Sequence, residues 1–100
     1  MRLNSTERNV IREAVLRHFG PTAIVRVFGS RADDAARGGD IDLYLDDVAG
    51  SADVIVRARI ALLTELHERL GDQHIDVVIR RKGGPRLPIH RRAEATGVPV

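Results

Sequence analysis

Residues 28–45 read FGSRADDAARGGDIDLYL and contain the end of one strand signal, a polar loop and a second strand signal. The first signal is the β-branched run AIVRVF over residues 23–28. It stops at Gly29-Ser30, and the small, polar residues 31–39 follow as a loop. Residues 40–45, DIDLYL, alternate with a period of two and predict a second strand. We therefore expect a strand, a turn, a loop and a strand.

The rest of the chain supplies helices and a third strand. Helical spacing and β-branched runs predict a helix over residues 6–19, a helix over residues 53–70, a strand over residues 74–80, a short helix from Pro88 to near Ala95 and an extended piece over residues 98–100. Asn4 or Ser5 is expected to cap the first helix, and Ser51 or Asp53 the second. Residues 46–52 are expected to form a turn. This order predicts an α/β chain of the α+β type with three or four strands.

The composition is that of one small domain spanning residues 1–100, with 43% hydrophobic and 30% charged residues. Only Phe19, Phe28 and Tyr44 are aromatic, so we expect an aliphatic core. The absence of cysteine excludes a disulfide scaffold and a thiolate metal site. No apolar run approaches the roughly 20 residues of a membrane span, and no signal-peptide stretch is seen at the start. We expect a soluble, cytoplasmic protein with no membrane partner.

Basic residues are concentrated towards the end of the chain, although the net charge is only +2. Six of them occur with no acid among them: Arg80, Arg81, Lys82, Arg86, Arg91 and Arg92. Such a run either binds phosphate or nucleic acid or is a solvated tail, and the sequence leaves both open. The run lacks aromatic residues that stack on bases, so nucleic-acid binding is the weakest functional hypothesis.

Two aspartates of the second predicted strand are candidate metal ligands. A strand has a side-chain period of two, so Asp40 and Asp42 project from the same face. Adjacent carboxylates repel unless a cation lies between them, and their hard oxygen atoms suit Mg²⁺. The alternative is a pair of exposed aspartates flanking a turn, because a lone D-x-D pattern often arises by chance.

A third aspartate, Asp76, lies in an otherwise apolar strand, where burial without a partner is costly. If this strand lies beside residues 40–45, Asp76 completes a cluster of three carboxylates, as two-metal phosphoryl or nucleotidyl transfer requires. The alternative is an edge-strand charge that faces water. His74 shares the strand face of Asp76 and could border the same site.

Gly29-Ser30 is a candidate nucleotide-binding element because of its position between a strand and an expected turn of helix. Glycine lets the backbone approach a phosphate, and N–H groups at a helix start attract anions. The Ser30 hydroxyl can bond a phosphate oxygen. Arg31 and Arg37 follow in the loop and could neutralise a triphosphate. Alone, a Gly-Ser pair is usually only a turn.

Together, residues 28–45 and the HIDVVI stretch at 74–79 resemble the signature of the polymerase-β-type nucleotidyltransferase superfamily, in particular its minimal nucleotidyltransferase branch. The resemblance implies a polymerase-β-like fold, with helices packed on a small mixed sheet. It implies an adenylyltransferase in which an acceptor oxygen attacks the α-phosphate of ATP. AMP would remain on the acceptor and pyrophosphate would leave.

The resemblance also assigns roles to residues. Gly29 and Ser30 would hold the triphosphate, while Asp40 and Asp42 would bind two Mg²⁺ ions. Asp76 would complete the metal site and assist deprotonation of the acceptor.

Partners follow from the same resemblance, since family members are often encoded beside a helical HEPN-domain toxin. The nucleotidyltransferase is then the antitoxin, which adenylylates the toxin, binds it, or does both. Leu87 and Ile89 could contact such a helical partner or pack as ordinary helix residues. The alternative function is a non-catalytic module that neutralises its partner by contact alone. The sequence also leaves open whether the chain forms a homo-oligomer. Nucleic acid is expected only as an acceptor.

The loop departs from the family pattern. The frequent GSRARG form is GSRADD here, and the gap between Ser30 and Asp40 is one residue shorter than in many members. Asp33 and Asp34 would oppose nucleotide binding unless they point away. Residues 37–39, Arg-Gly-Gly, could restore a basic group and flexibility. The departures bear on the loop contacts and not on the three carboxylates.

Overall fold

A computed structural model describes residues 2–33 and 39–100. In chain order the elements are α1 (Ser5–Phe19), β1 (Ile24–Phe28), a 3₁₀ turn (Gly29–Ala32), β2 (Ile41–Val48), α2 (Ala52–Leu70), β3 (Ile75–Arg81), α3 (Pro88–Thr96) and β4 (Val98–Pro99). Most predicted boundaries lie within two residues of these. The expected turn of helix after the first strand is the 3₁₀ turn, and the extended piece near the end is β4.

The four strands form one mixed sheet in the order β3-β2-β1-β4. β1 pairs antiparallel with β2 and with β4, whereas β2 pairs parallel with β3. A parallel pair needs a long crossover, and α2 supplies it. The prediction of an α+β chain with a small mixed sheet is confirmed at this level.

The two faces of the sheet bury different kinds of side chain. On one face, Ile41, Leu43 and Leu45 of β2 are fully buried in an aliphatic core with α1 and α2. On the other, Tyr44 forms a smaller cluster with Phe28 and Ala93, a residue of α3. Alternation along β2 therefore places α1 and α2 on one side of the sheet and α3 on the other.

Local capping signals set where the helices begin. The Asn4 side chain accepts a hydrogen bond from the Glu7 N–H at 2.8 Å, and the Glu7 carboxylate accepts one from the Asn4 N–H at 3.1 Å. This reciprocal capping box selects Asn4 as the cap of α1. Ser51 caps α2 by accepting from the Val54 N–H at 3.3 Å. No helix of the described residues has the length and apolar character that crossing a membrane requires.

The prediction that β2 ends at residue 45 and gives way to a turn is wrong. The strand continues to Val48 through an irregularity in which Asp47 adopts a positive φ of 56°. Arg80 on the neighbouring strand donates to Asp46 Oδ1 at 2.6 Å, and Lys82 N donates to Val48 O at 2.8 Å. Consecutive aspartates are typical of turns. Here a partner far along the chain keeps them in the sheet.

Candidate functional site

The register of the sheet brings Asp42 and Asp76 side by side. Asp42 is the cross-strand neighbour of Asp76 on β3 and of Phe28 on β1. Cross-strand neighbours project from the same face, and for this trio it is the face that α3 covers in part. The condition left open by the sequence, that the second and third strands lie side by side, is met, so Asp42 and Asp76 share one location.

Asp40 and His74 extend this group at the start of the two parallel strands. The Ile41 N–H donates to His74 O at 3.0 Å, which aligns the residues just before β2 and β3. His74 Nδ1 lies 3.0 Å from Asp40 Oδ2 and 3.9 Å from Asp76 Oδ2. His74 therefore borders the aspartates, as the sequence suggested, and stands between two of them.

Asp40, His74 and Asp76 each offer a ligand atom, and these atoms all lie within 4.8 Å of one another. More than half of each side chain is exposed. Carboxylate oxygens suit Mg²⁺, and an added imidazole nitrogen suits Mn²⁺ and other transition metals. The donor chemistry fits a divalent cation, although exposed acidic groups often occur without one. Asp42, the remaining predicted ligand, lies outside this group.

Asp42 is partly buried and has the most perturbed surroundings of the predicted site residues. Burial raises its pKa above the ordinary value, and the nearby charges of Asp76 and Asp40 raise it further. His74 and Arg92 act in the opposite direction. The described residues form no ion pair with Asp42, so its carboxylate is costly to ionise unless a cation approaches it.

Gly29 is placed so that only glycine fits. Its φ is +71°, and a Cβ built there would lie 2.4 Å from Asp42 Oδ2. The turn after β1 therefore passes directly against the Asp42 carboxylate. Ser30 follows in the same turn, and its carbonyl oxygen accepts hydrogen bonds from Arg2 Nη2 at 2.9 Å and from Asp33 N at 3.2 Å. The structure thus joins the Gly-Ser pair to the aspartate motif.

Arg31 is used in internal contacts. Its guanidinium donates to Arg2 O at 3.0 Å, to Gly39 O at 3.3 Å and to Gln73 Oε1 at 3.1 Å, and lies 3.8 Å from Glu7 Oε2. Arg31 thereby ties the start of the chain to the far end of the loop and to the segment before β3. Among the described residues its only ion pair is with Glu7, and none is formed with Asp40, Asp42 or Asp76.

Two loop residues singled out from the sequence, Arg37 and Asp34, lie outside the described residues. Asp33 is described and lines a cavity beside the 3₁₀ turn. The acidic departure from the family pattern therefore borders the candidate site.

Two neighbouring cavities lie near Asp42 and Asp76, and the first of them is lined by both aspartates. One, of about 340 Å³, is lined by Gly29, Asp42, Arg59, Asp76, Ile89 and Arg92, among others. The second, of about 290 Å³, is lined by Gly29, Ala32, Asp33, Arg92 and Thr96. Gly29 and Arg92 line both, so the cavities meet where the 3₁₀ turn faces α3.

Two cationic residues, Arg59 and Arg92, line the region of the aspartates although the sequence did not predict their position there. Arg59 on α2 reaches the outer edge of β3 and donates to Val77 O at 3.1 Å. Arg92 belongs to the basic run, but no local signal in the sequence indicates that α3 lies over the aspartates. That placement depends on the buried contact of Ala93 with the sheet.

The basic run does not form one continuous binding strip. Arg80 is nearly buried and is paired with Asp46 at 2.6 Å. Arg86 donates to Glu94 Oε1 at 2.9 Å, and the Tyr44 hydroxyl donates to the same oxygen at 3.0 Å. Burial and this bond to Glu94 raise the pKa of Tyr44 to about 12. These contacts hold α3 and the preceding loop against the sheet.

A larger cavity, of about 610 Å³, lies between α1 and α2 and away from the aspartates. Charged side chains line it, and Glu65 accepts hydrogen bonds from Arg17, His18 and Arg69. The bond from Arg17 is the main reason that the pKa of Glu65 falls to about 2. We interpret this region as an ion-pair cluster joining two helices.

Comparison with known proteins leaves the family unassigned, since neither a protein-family model nor a curated protein sequence matches the chain. The functional interpretation therefore depends on the aspartates, the Gly-Ser turn and their geometry.

Proposed function

We propose that the chain is a Mg²⁺-dependent nucleotidyltransferase with a polymerase-β-like fold of the minimal type, which transfers AMP from ATP to an acceptor hydroxyl. One observation carries the proposal: Gly29 lies against the Asp42 carboxylate, and Asp42 lies beside Asp76. Three motifs separated in sequence meet at one end of the sheet. A phosphate-binding turn and paired carboxylates are the elements that metal-assisted phosphoryl chemistry needs.

The proposed roles follow the positions of the side chains. Asp40, Asp42 and Asp76 would hold the cation, with His74 as an added ligand next to Asp40. When bound, a divalent cation would neutralise phosphate charge and favour an ionised acceptor oxygen. The surroundings of Asp42 support this role, because a cation would relieve the repulsion that raises its pKa.

The reaction we propose forms a bond between the acceptor oxygen and the α-phosphorus and breaks the bond from that phosphorus to the bridging oxygen. Pyrophosphate carries away the electron pair of the broken bond. The acceptor hydroxyl loses its proton to a site carboxylate. Asp76 is the candidate because it lies on the edge strand β3 and is exposed, so an acceptor can reach it.

The acceptor is proposed to belong to a partner chain, such as a HEPN-type toxin. Ile89 lines the Asp42 cavity and remains 39% exposed, and nearby Leu87 is 51% exposed. Apolar side chains beside a polar site are suited to contact a docked partner. Such a chain would supply the surface that binds the acceptor.

A second candidate function is a non-catalytic antitoxin that neutralises its partner by binding alone. Two observations favour it. The Arg31 guanidinium is occupied by backbone and side-chain contacts, and Asp33 adds negative charge beside the turn that would hold phosphates. Both features weaken nucleotide binding relative to the family pattern.

Label transfer separates the two functions. We would incubate the purified chain with α-labelled ATP, Mg²⁺ and its co-encoded partner, and compare it with Asp42→Asn. Asp53→Asn is the matched control, because Asp53 is exposed at the start of α2, beyond the opposite end of β2. We expect transfer by the wild type and by the control, and a loss of at least about a hundred-fold in Asp42→Asn. Unchanged transfer by Asp42→Asn, or none by the wild type while it binds the partner, would overturn the catalytic proposal.

A further inference from the structure

The proposed triphosphate needs a cation from the chain; of the two predicted, Arg31 is engaged elsewhere and Arg37 lies outside the described residues. The Arg31 guanidinium makes three hydrogen bonds, to Gly39 O, Arg2 O and Gln73 Oε1, and is thereby occupied. Within the basic run, Arg80 and Arg86 are committed to Asp46 and Glu94. Among the described residues, a cationic partner of the phosphates therefore has to be a residue other than these three.

Arg92 has the required position. It lines both the cavity that holds Asp42 and the cavity over the 3₁₀ turn. In the part of the chain that is described, its guanidinium makes no ion pair or hydrogen bond, and the residue is exposed. The guanidinium is thus available to a ligand in either cavity.

The face of α3 turned to these cavities is fixed by helix geometry. Ile89, Arg92 and Thr96 are spaced by three and four residues, and each lines one or both cavities. The adjacent Ala93 is fully buried in the cluster of Phe28 and Tyr44, which prevents the helix from turning about its axis. Arg92 is therefore held over the site by packing.

We propose that Arg92 binds the β- and γ-phosphates of the nucleotide above the turn Gly29–Ala32, and so makes the site selective for a triphosphate over a monophosphate. This inference rests on the proposed function. The cavity beside Asp42 and Asp76 then takes the cation and the α-phosphate, and the second cavity takes the two outer phosphates.

Charge and geometry support this division. Arg92 is the only cationic side chain among the described residues that line the second cavity, which also contains the acidic Asp33. A planar guanidinium can donate two parallel hydrogen bonds to phosphate oxygens. Arg92 therefore has both the charge and the position to bind phosphate oxygens in the second cavity.

Calorimetric titration with three probes, Mg·ATP, Mg·pyrophosphate and AMP, tests the assignment. We expect Arg92→Ala to weaken ATP and pyrophosphate binding by about ten- to a hundred-fold, the usual value of a hydrogen bond to a charged group. AMP binding should change by less than about two-fold. Arg91→Ala is the matched control, because Arg91 is exposed on the same helix and lines neither cavity. Arg92→Lys should retain part of the affinity.

The outcomes distinguish this inference from the proposed function. If Arg92→Ala and wild type bind Mg·ATP equally while Asp42→Asn binds it weakly, Arg92 has no phosphate role and the nucleotidyltransferase proposal stands. If the wild type binds none of the three probes, both proposals fail. Equal losses for ATP and AMP also overturn the assignment to the outer phosphates. Thermal melting of each variant, with Arg92→Gln as a less disruptive replacement, identifies losses that come from misfolding.

Discussion

Asp42 and Asp46 lie on the same strand and project towards the same side of the sheet, yet their surroundings are opposite. Asp46 accepts a 2.6 Å hydrogen bond from Arg80, and both side chains are largely buried. Burial alone would raise the pKa of Asp46, but hydrogen bonds from Arg80 and from the Asp47 N–H outweigh it and lower the pKa. The pKa of Asp42 is raised instead, by burial and by two neighbouring aspartates.

This difference separates a structural carboxylate from a candidate functional one. The fold supplies Asp46 with a cation and thereby holds β2, β3 and the basic loop together. It supplies Asp42 with further negative charge and leaves Arg92 as a more distant cation. A carboxylate whose charge is not neutralised within the chain is suited to bind a cation from outside. Substitutions at the two ends of β2 should therefore have different consequences.

The largest effect on stability is expected at Gly29, next to Asp42. Alanine there must adopt φ +71° and place its Cβ 2.4 Å from Asp42 Oδ2. A positive φ alone costs about 1–3 kcal/mol. Adding the contact, we expect Gly29→Ala to lower Tm by roughly 15 °C, the shift for about 3 kcal/mol in a domain of this size. Thermal melting followed by circular dichroism measures it.

Gly71→Ala is the matched control, because Gly71 has φ +81° and no atom within 4 Å of an added Cβ. Its loss in Tm should be about half that of Gly29→Ala. Combining Gly29→Ala with Asp42→Ala should recover part of the loss, since the carboxylate oxygen is removed. Equal losses at the two glycines would show that the approach of Gly29 to Asp42 is not a real constraint.

Replacing Asp42 or Asp46 by asparagine, which exchanges a carboxylate for an amide, should have different effects on stability. Asp46→Asn leaves the nearly buried Arg80 without its charge partner, so we expect Tm to fall by about 10 °C. Asp42→Asn removes repulsion from Asp76 and Asp40, and Tm should stay the same or rise by up to about 3 °C. A fall of similar size in both variants would contradict the distinction between the two aspartates.

Much of the fold was predictable because its signals are local. Caps, apolar spacing and β-branched runs placed the helices and strands within two residues at most ends, and the period of two identified Asp40 and Asp42 as a pair. The failure at β2 has a physical cause. Nothing near Asp46 in sequence shows that Arg80 will lie beside it, so the aspartates resembled a turn.

The site was predictable only in part, since it depends on contacts between distant segments. Asp76 joins Asp42 because β2 and β3 are adjacent and in register, which the sequence allowed but could not establish. Arg31 was expected at the phosphates from its place in the loop, and its contacts with Gly39 and Gln73 could not be foreseen. Arg92 was recognised only as part of the basic run, because the position of α3 over the sheet is a tertiary property.

The smallest expected effect is on the pH dependence of Tm, which should differ between Asp46→Asn and Asp42→Asn. Lowering the pH protonates Asp46 in the unfolded chain before the folded chain, because its folded pKa lies below the ordinary value of 3.8. The stability that Asp46 provides is therefore complete above that value and is lost as the pH falls through the lowered pKa. The Tm deficit of Asp46→Asn should be largest near neutral pH and shrink in acid.

For Asp42 the sign is reversed. Its pKa in the folded chain lies above the ordinary value of 3.8, so the folded chain binds the proton more tightly than the unfolded chain does. The wild type therefore loses stability as the pH rises from 3.8 through the raised pKa. Any Tm advantage of Asp42→Asn should therefore be absent in acid and appear above pH 3.8. Melting the three proteins in chelator-treated buffers from about pH 3 to 7 measures both differences. Because a bound cation favours the ionised carboxylate, Mg²⁺ with ATP should reduce the advantage at Asp42 and leave the deficit at Asp46 unchanged. If the Tm differences of the two variants from the wild type change with pH in opposite directions, and only that of Asp42→Asn responds to Mg²⁺ with ATP, cation binding is assigned to Asp42. If both differences change with pH in the same direction, both aspartates have a structural role.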